Sequence, residues 1–259
     1  MVFREKKIKK LSTKSIQSKT LKALPFHKFI PNILTLTALC AGLSAVHFAL
    51  KGKWETSLVL IFIAMVFDGM DGRIARLLNS TSKFGAELDS LADFCNFGIV
   101  PGLVIYIHSL EGLGRLGWPI VLMYSICMVL RLARFNTLID QSPSPKYFSG
   151  VPAPFGALLA LLPIIVEFHE PGWVLSPALY GVWLLVISSL LVSRIPTFSF
   201  KQGHVQKKWI LPIFILVAFI VAGLVAYPWA TLSIISLLYI LSIPFSYRLK
   251  NQESLPSNN

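Results

Sequence analysis

The chain has 259 residues, of which 54% are hydrophobic and 14% charged, and its formal net charge is +12. Soluble globular domains carry about 25% charged residues, so this composition excludes an ordinary soluble protein and indicates an integral membrane protein. The positive charge does not indicate nucleic-acid binding, because the basic residues are not interleaved with stacking aromatic residues on a polar face.

The apolar runs approach the length of about 20 residues that a membrane-spanning helix needs, and they lack the alternation of barrel strands. We therefore predict an all-α integral membrane protein with eight transmembrane helices, at residues 31–50, 54–78, 84–108, 117–138, 151–168, 173–193, 208–227 and 229–247.

A basic leader, residues 1–30, precedes the first span. Its apolar residues among lysines fit an amphipathic segment on an anionic leaflet, and a basic tail that only sets the topology fits equally well. An even number of spans puts both termini on one side. The loops of the opposite side keep only Lys51, Lys53 and Arg115, so the positive-inside rule predicts cytoplasmic termini and an inner-membrane location.

Four aspartates, Asp68, Asp71, Asp89 and Asp93, interrupt the second and third spans. A carboxylate within a span costs a few kcal/mol and is rarely there without a partner. Asp68 and Asp71 lie three residues apart and Asp89 and Asp93 four residues apart, so each pair shares one helix face. The polar stretch "LLNSTSK" predicts a tight turn, so the two spans form an antiparallel hairpin. Because the pairs are almost equidistant from the turn, the four carboxylates should gather near the cytoplasmic surface.

Such a cluster needs protons or cations to offset its repulsion. Carboxylate oxygens without Cys or His suit a hard divalent ion such as Mg²⁺, Mn²⁺ or Ca²⁺. Four carboxylates on two facing helices are enough for two ions about 4 Å apart, an arrangement used for displacement at phosphorus. We therefore predict that all four aspartates are metal ligands.

Small residues and one arginine accompany the aspartates. Gly72 and Ala75 lie at helical spacing beside them and let a bulky ligand approach the backbone, while Arg76 offers a fork-shaped donor to phosphate oxygens. Close helix packing explains Gly72, Ala75 and Gly85 equally well.

The stretch "DGMDGRIAR", residues 68–76, is followed after eight residues by "GAELDSLAD", residues 85–93. This pattern resembles the complete signature of the CDP-alcohol phosphatidyltransferases, and every fixed position of the signature is filled. The resemblance implies a cytoplasmic site that binds a CDP-linked lipid and two divalent cations, Mg²⁺ or Mn²⁺, where an alcohol displaces CMP.

Carried over by position, the resemblance makes Asp68, Asp71 and Asp89 metal ligands and gives Asp93 two roles, metal ligand and catalytic base. It implies that six residues bind the CDP-lipid: Asn32, Thr35, Gly72, Ala75, Arg76 and Gly85. It also implies a homodimer and four regions: the leader (1–30), a six-helix catalytic core (31–193), a cytoplasmic loop with two further helices (194–250) and a polar tail (251–259).

Further segments, "RLARFN", "YFSGVPAP" and "SRIPTFSFK", are similar to the serine-accepting members of this family. The expected reaction therefore joins CDP-diacylglycerol and L-serine to give phosphatidylserine and CMP. A site for serine needs a cation to bind the serine carboxylate, and several residues near the cytoplasmic helix ends are candidates for this role. The candidates are Arg131, Arg134, Asn136, Arg194 and Lys201.

Two alternatives stay open. The same chemistry with glycerol phosphate, inositol phosphate or choline as acceptor is the nearer one. Intramembrane aspartates also mark the ion paths of cation transporters, but transporters place charges near the bilayer centre and in repeated halves. Here the acids cluster in one hairpin near one surface, without a second copy.

Overall fold

The structure is a computed structural model that describes residues 29–139, 147–170, 172–193, 196–198 and 210–253. The basic leader up to residue 28 lies outside the described residues, as do Arg194 and Lys201.

Eight helices make up the described part of the chain. They are α1 (Ile30–Leu50), α2 (Trp54–Leu77), α3 (Lys83–His108), α4 (Gly117–Ile139), α5 (Ala153–His169), α6 (Pro177–Val192), α7 (Ile210–Ala226) and α8 (Pro228–Glu253). The eight predicted helices are therefore all present, which confirms the all-α fold class.

Shorter elements join these helices. A 3₁₀ helix, Leu110–Leu116, connects α3 to α4. Two three-residue strands, β1 (Tyr147–Ser149) before α5 and β2 (Pro196–Phe198) after α6, pair antiparallel with Tyr147 opposite Phe198. This pairing brings together the segments "YFSGVPAP" and "SRIPTFSFK", which are far apart in the sequence.

Two helix ends differ from the predicted bounds. The α6 helix begins at Pro177 rather than near residue 173, because Ser176 caps it by accepting a hydrogen bond from the backbone N–H of Leu179 at 3.4 Å. The α8 helix continues to Glu253, so the first residues of the predicted polar tail are helical.

Three helical segments of the described chain are long and apolar enough to cross a membrane: Ile30–Leu50, Lys83–His108 and Leu110–Thr137. Four more apolar helices are shorter, and α2 carries all its charged residues except Glu55 in its C-terminal half. By their length and composition, these helices support an integral membrane protein.

The helices pack around α5, which is buried along most of its length between Ala153 and Ile165. The α1 helix turns a stripe of small residues, including Ala38, Gly42 and Ala45, towards its neighbours and packs closely against α2. By contrast, α7 exposes nearly all of its large apolar side chains, as a lipid-facing helix does.

Candidate functional site

The turn between α2 and α3 sets the geometry of the site. Asn79 adopts a left-handed conformation with φ 48°, which reverses the chain. Ser82 then caps α3, because its side-chain oxygen accepts a hydrogen bond from the backbone N–H of Gly85 at 3.0 Å. The predicted antiparallel hairpin is confirmed, and it places the two aspartate pairs opposite one another.

Three carboxylates meet between α2 and α3, near the turn of the hairpin. Asp68, Asp71 and Asp89 each contribute one oxygen, and these oxygens all lie within 4.8 Å of one another. Asp71 is buried and accepts a hydrogen bond from the hydroxyl of Thr35 at 2.5 Å. Thr35 therefore connects α1 to the cluster and orients one of its members.

The fourth aspartate, Asp93, lies beside this group, close enough to Asp68 for the two carboxyl groups to interact. One oxygen of Asp93 is buried and has no hydrogen-bond partner among the described residues. A buried polar atom left without a partner costs about 1–3 kcal/mol. A set of carboxylate oxygens with so few protein donors fits hard divalent cations.

A cavity of about 220 Å³ opens next to the carboxylates, between α1 and the hairpin. All six residues that the resemblance assigned to the CDP-lipid line it: Asn32, Thr35, Gly72, Ala75, Arg76 and Gly85. Sequence reasoning missed the hydroxyl groups of the turn, which line the same cavity: Ser80, Thr81 and Ser82. Their position between the two halves of the aspartate motif was the signal that could have identified them.

The two glycines of the cavity have different surroundings. A Cβ atom at Gly72 would meet no atom closer than the Arg76 guanidinium, at 3.9 Å. A Cβ atom at Gly85 would lie 3.0 Å from the side-chain oxygen of Asn32. Close packing therefore explains Gly85, whereas Gly72 leaves space that opens into the cavity.

Arg76 lies at the edge of the cavity and is exposed. Within the described part of the chain, its guanidinium forms no hydrogen bond or ion pair. A free guanidinium beside four carboxylates is available to bind an anionic group such as a diphosphate.

The serine-binding candidates on α4 have three different environments. Arg131 is buried, donates a hydrogen bond from Nε to the carbonyl of Val151, and lies close enough to Asp93 for their charges to interact. Arg134 neighbours Arg131, is half-buried, and its side chain has no hydrogen-bond partner among the described residues. Asn136 donates to the hydroxyl of Ser90 on α3 at 2.6 Å. The other two candidates, Arg194 and Lys201, lie outside the described residues.

The chain belongs to the CDP-alcohol phosphatidyltransferase family. The family model of that description matches residues 28–193, and a second model, CDP-alcohol phosphatidyltransferase 2, matches residues 208–244. The first match includes the whole α2–α3 hairpin and every described candidate residue. The predicted family membership is confirmed. Members of this family generally depend on divalent metal ions, and the cluster of Asp68, Asp71 and Asp89 is a group that could hold such an ion.

Three proteins that carry the same name are similar to most of this chain. Each is a CDP-diacylglycerol–serine O-phosphatidyltransferase. The protein of Mycobacterium tuberculosis is 39% identical over 85% of this chain and 79% of its own length. That of Helicobacter pylori is 33% identical over 84% and 90%, and that of Bacillus subtilis 36% identical over 67% and 92%.

Proposed function

We propose that the protein transfers the phosphatidyl group of CDP-diacylglycerol to the hydroxyl of L-serine, which gives phosphatidylserine and CMP. The observation that carries the proposal is the cluster of Asp68, Asp71 and Asp89 beside a cavity whose lining suits a nucleotide diphosphate. The names of the similar proteins support serine as the acceptor. A lipid substrate also explains why a polar site lies in a membrane protein.

Four aspartates, Asp68, Asp71, Asp89 and Asp93, would hold two divalent cations, Mg²⁺ or Mn²⁺, which when bound offset the negative charge of the diphosphate and of the departing CMP. The protein itself supplies the remaining contacts to the donor. Arg76 binds the diphosphate, while Gly72 and Ala75 leave room for the cytidine against α2. Thr35 keeps Asp71 in its orientation through the hydrogen bond already described.

Asp93 acts as the catalytic base that takes the proton from the serine hydroxyl. Its buried oxygen without a protein partner is available to accept that proton. Arg131 lies close enough to Asp93 for their charges to interact. Because Nε of Arg131 is bound to the Val151 carbonyl, we assign Arg131 to the positioning of the base rather than to the substrate.

Arg134 is the described residue best suited to the serine carboxylate. It is adjacent to Arg131, partly accessible, and without a side-chain hydrogen bond inside the described chain. Asn136 is already bonded to Ser90 and joins α4 to α3 at this end of the bundle. Arg194 and Lys201 follow α6 in the sequence and stay candidates for the same carboxylate.

The six-helix core, residues 31–193, carries this chemistry with the site and both termini on the cytoplasmic side of the inner membrane. The charge asymmetry of the loops supports that orientation. In a cysteine-free background, an impermeant thiol reagent should label Glu111→Cys in intact cells and leave Thr81→Cys unlabelled. The reverse pattern would contradict the orientation.

The family resemblance also supports a homodimer. Light scattering on the purified protein, corrected for bound detergent, should give the mass of two chains. A mass of one chain at all protein concentrations would contradict the homodimer and leave the proposed reaction intact.

The acceptor is tested with purified protein, CDP-diacylglycerol and Mg²⁺ or Mn²⁺. We expect CMP release with serine and not with glycerol phosphate, inositol phosphate or choline, and no release once a chelator is present. CMP release with another of these alcohols, and not with serine, would overturn serine as the acceptor. Release that persists without metal would overturn the metal site.

A further inference from the structure

The α3 helix changes its winding directly after Asp93. Residues Phe94–Ile99 form a π-helical turn, in which the backbone N–H of Val100 donates to the carbonyl of Cys95. Such a turn accommodates an additional residue in an α-helix and is frequent at functional sites. Since one residue of an α-helix turns by about 100°, the turn rotates the helix face that carries Asp89 and Asp93.

The half of α3 that follows the turn is fixed in the core. Val100, Val104 and Ile105 are almost completely buried there. Because this half cannot rotate without disturbing the core, the winding of the π-helical turn determines where Asp93 points. An unbroken α-helix would direct the Asp93 carboxylate about 100° away.

The π-helical turn leaves backbone carbonyls that need other donors. Pro101 has no N–H, so the carbonyl of Phe97 loses its normal helical partner. The hydroxyl of Tyr124 on α4 donates to this carbonyl at 2.7 Å, and the hydroxyl of Ser125 donates to the next one, of Gly98, at 3.0 Å. Because Tyr124 is completely buried, losing this hydrogen bond would leave a buried carbonyl without its donor, which costs free energy.

The sequence of α3 allows α4 to come close enough for these bonds. A Cβ atom at Gly98 would lie 3.2 Å from Met128, and one at Gly102 would lie 3.1 Å from Val121 and 3.4 Å from the Tyr124 ring. Both glycines therefore permit a close approach of the helix backbones.

We propose that Tyr124, assisted by Ser125, is a positioning residue that holds the π-helical turn and thereby aims Asp93 at the serine hydroxyl. Tyr124 does not line the substrate cavity, so it acts only through the Phe97 carbonyl. The inference rests on the role of Asp93 as base in the proposed function.

The test compares Tyr124→Phe with Tyr180→Phe. Both tyrosines are buried, and each donates one hydrogen bond of 2.7 Å, but Tyr180 bonds to Glu167 at the opposite end of the bundle. We expect Tyr124→Phe to lower kcat for serine about tenfold, the size of a small misplacement of a catalytic group. The KM for serine and the binding of CDP-diacylglycerol should change by less than about twofold.

In Tyr180→Phe, kcat should stay at the wild-type value although its melting temperature falls at least as far as that of Tyr124→Phe. Should Tyr124→Phe fail to fold, Ser125→Ala is compared with Ser188→Ala, whose hydroxyl bonds only within α6. Again kcat should fall in Ser125→Ala alone. Equal kcat in variant and control would overturn the positioning role.

The variant Asp93→Asn separates this inference from the proposed function. Normal serine transfer by Asp93→Asn would overturn Asp93 as the base and with it the basis of the inference. An inactive Asp93→Asn, together with a Tyr124→Phe protein as active as Tyr180→Phe, would overturn the positioning role alone.

Discussion

The two ends of the α2–α3 hairpin both contain buried polar groups, but their hydrogen bonding differs. At the far end Glu167 accepts hydrogen bonds from the Tyr180 hydroxyl and the Leu175 backbone N–H, and pairs with His108 at 2.8 Å. Trp54 at the start of α2 packs edge-on against the His108 ring. These contacts join α2, α3, α5 and α6.

At the aspartate end, protein donors are few. The Thr35 hydroxyl donates a hydrogen bond to Asp71. Asp68 and Asp93 lie close together, and a buried oxygen of Asp93 has no hydrogen-bond partner in the described chain. Trp54 and Asp71 are about 25 Å apart along α2, so one hairpin carries both arrangements. Carboxylates with protein partners stabilise the fold, whereas carboxylates without them are available for a ligand.

The largest effect that this comparison predicts comes from the metal ligands. Asp68→Asn, Asp71→Asn or Asp89→Asn should lower the rate of CMP release by about two orders of magnitude or more. Thermal stability should hold or rise, because each change removes one charge from a repelling group. The control is Glu55→Gln, an exposed position at the start of α2, which should leave the rate unchanged. Full activity of an aspartate variant in chelator-treated membranes would contradict the metal site.

The next effect concerns the acceptor. Arg134→Ala should raise the KM for serine about ten- to a hundredfold, because a charge-assisted hydrogen bond is worth about 1.5–3 kcal/mol. Its KM for CDP-diacylglycerol should stay near normal, and Arg76→Ala should show the opposite pattern. Steady-state kinetics with both substrates varied measure this, with the exposed Arg73→Ala as control. A serine KM within about twofold of wild type in Arg134→Ala would remove Arg134 from the acceptor site.

A smaller effect shows whether Gly72 leaves room for the donor lipid or only permits close helix packing. Gly72→Ala places a methyl group in the cavity and should raise the KM for CDP-diacylglycerol about tenfold. Gly69→Ala should leave it unchanged, because a Cβ atom at Gly69 would meet nothing within 4 Å and Gly69 does not line the cavity beside the aspartates. Both variants should gain helix stability, since alanine is favoured over glycine by about 0.5–1 kcal/mol. Equal KM values in the two variants would show that Gly72 does not border the donor.

The smallest effect on activity is expected from Glu167, at the end of the hairpin opposite the aspartates. Glu167→Gln should keep kcat/KM within about twofold of wild type, while the free energy of unfolding falls by about 1–3 kcal/mol. The loss arises because an amide is a weaker acceptor for the donors that surround Glu167. Denaturation in detergent, followed beside a CMP-release assay, measures both quantities. A large loss of activity at unchanged stability would mean that the two ends are not functionally distinct.

Local sequence features were sufficient to predict the hairpin and its cluster. The helical spacing of the aspartates and the turn signal of "LLNSTSK" need no information from distant segments. The environment of the arginines was not predictable in this way. Whether Arg131 or Arg134 is buried depends on where Val151, which is distant from both in the sequence, lies relative to α4.

The π-helical turn also could not be predicted. A hydrophobic pattern does not show where a helix gains one residue per turn, and the bond from Tyr124 to Phe97 joins helices that are separate in sequence. The sequence also does not show which carbonyls of α3 need other donors or which hydroxyl groups of α4 supply them.

The most direct test of the aspartate site measures the binding of CDP-diacylglycerol in nanodiscs with and without Mg²⁺ or Mn²⁺, without serine, for wild type, Asp89→Asn and Asp93→Asn. We predict that wild type and Asp93→Asn bind the lipid only when metal is present, and that Asp89→Asn does not bind it. When serine is added, Asp93→Asn should fail to transfer the bound lipid. Metal-independent binding by the wild type, or undiminished metal-dependent binding by Asp89→Asn, would contradict a site in which these carboxylates hold the cations that bind the donor.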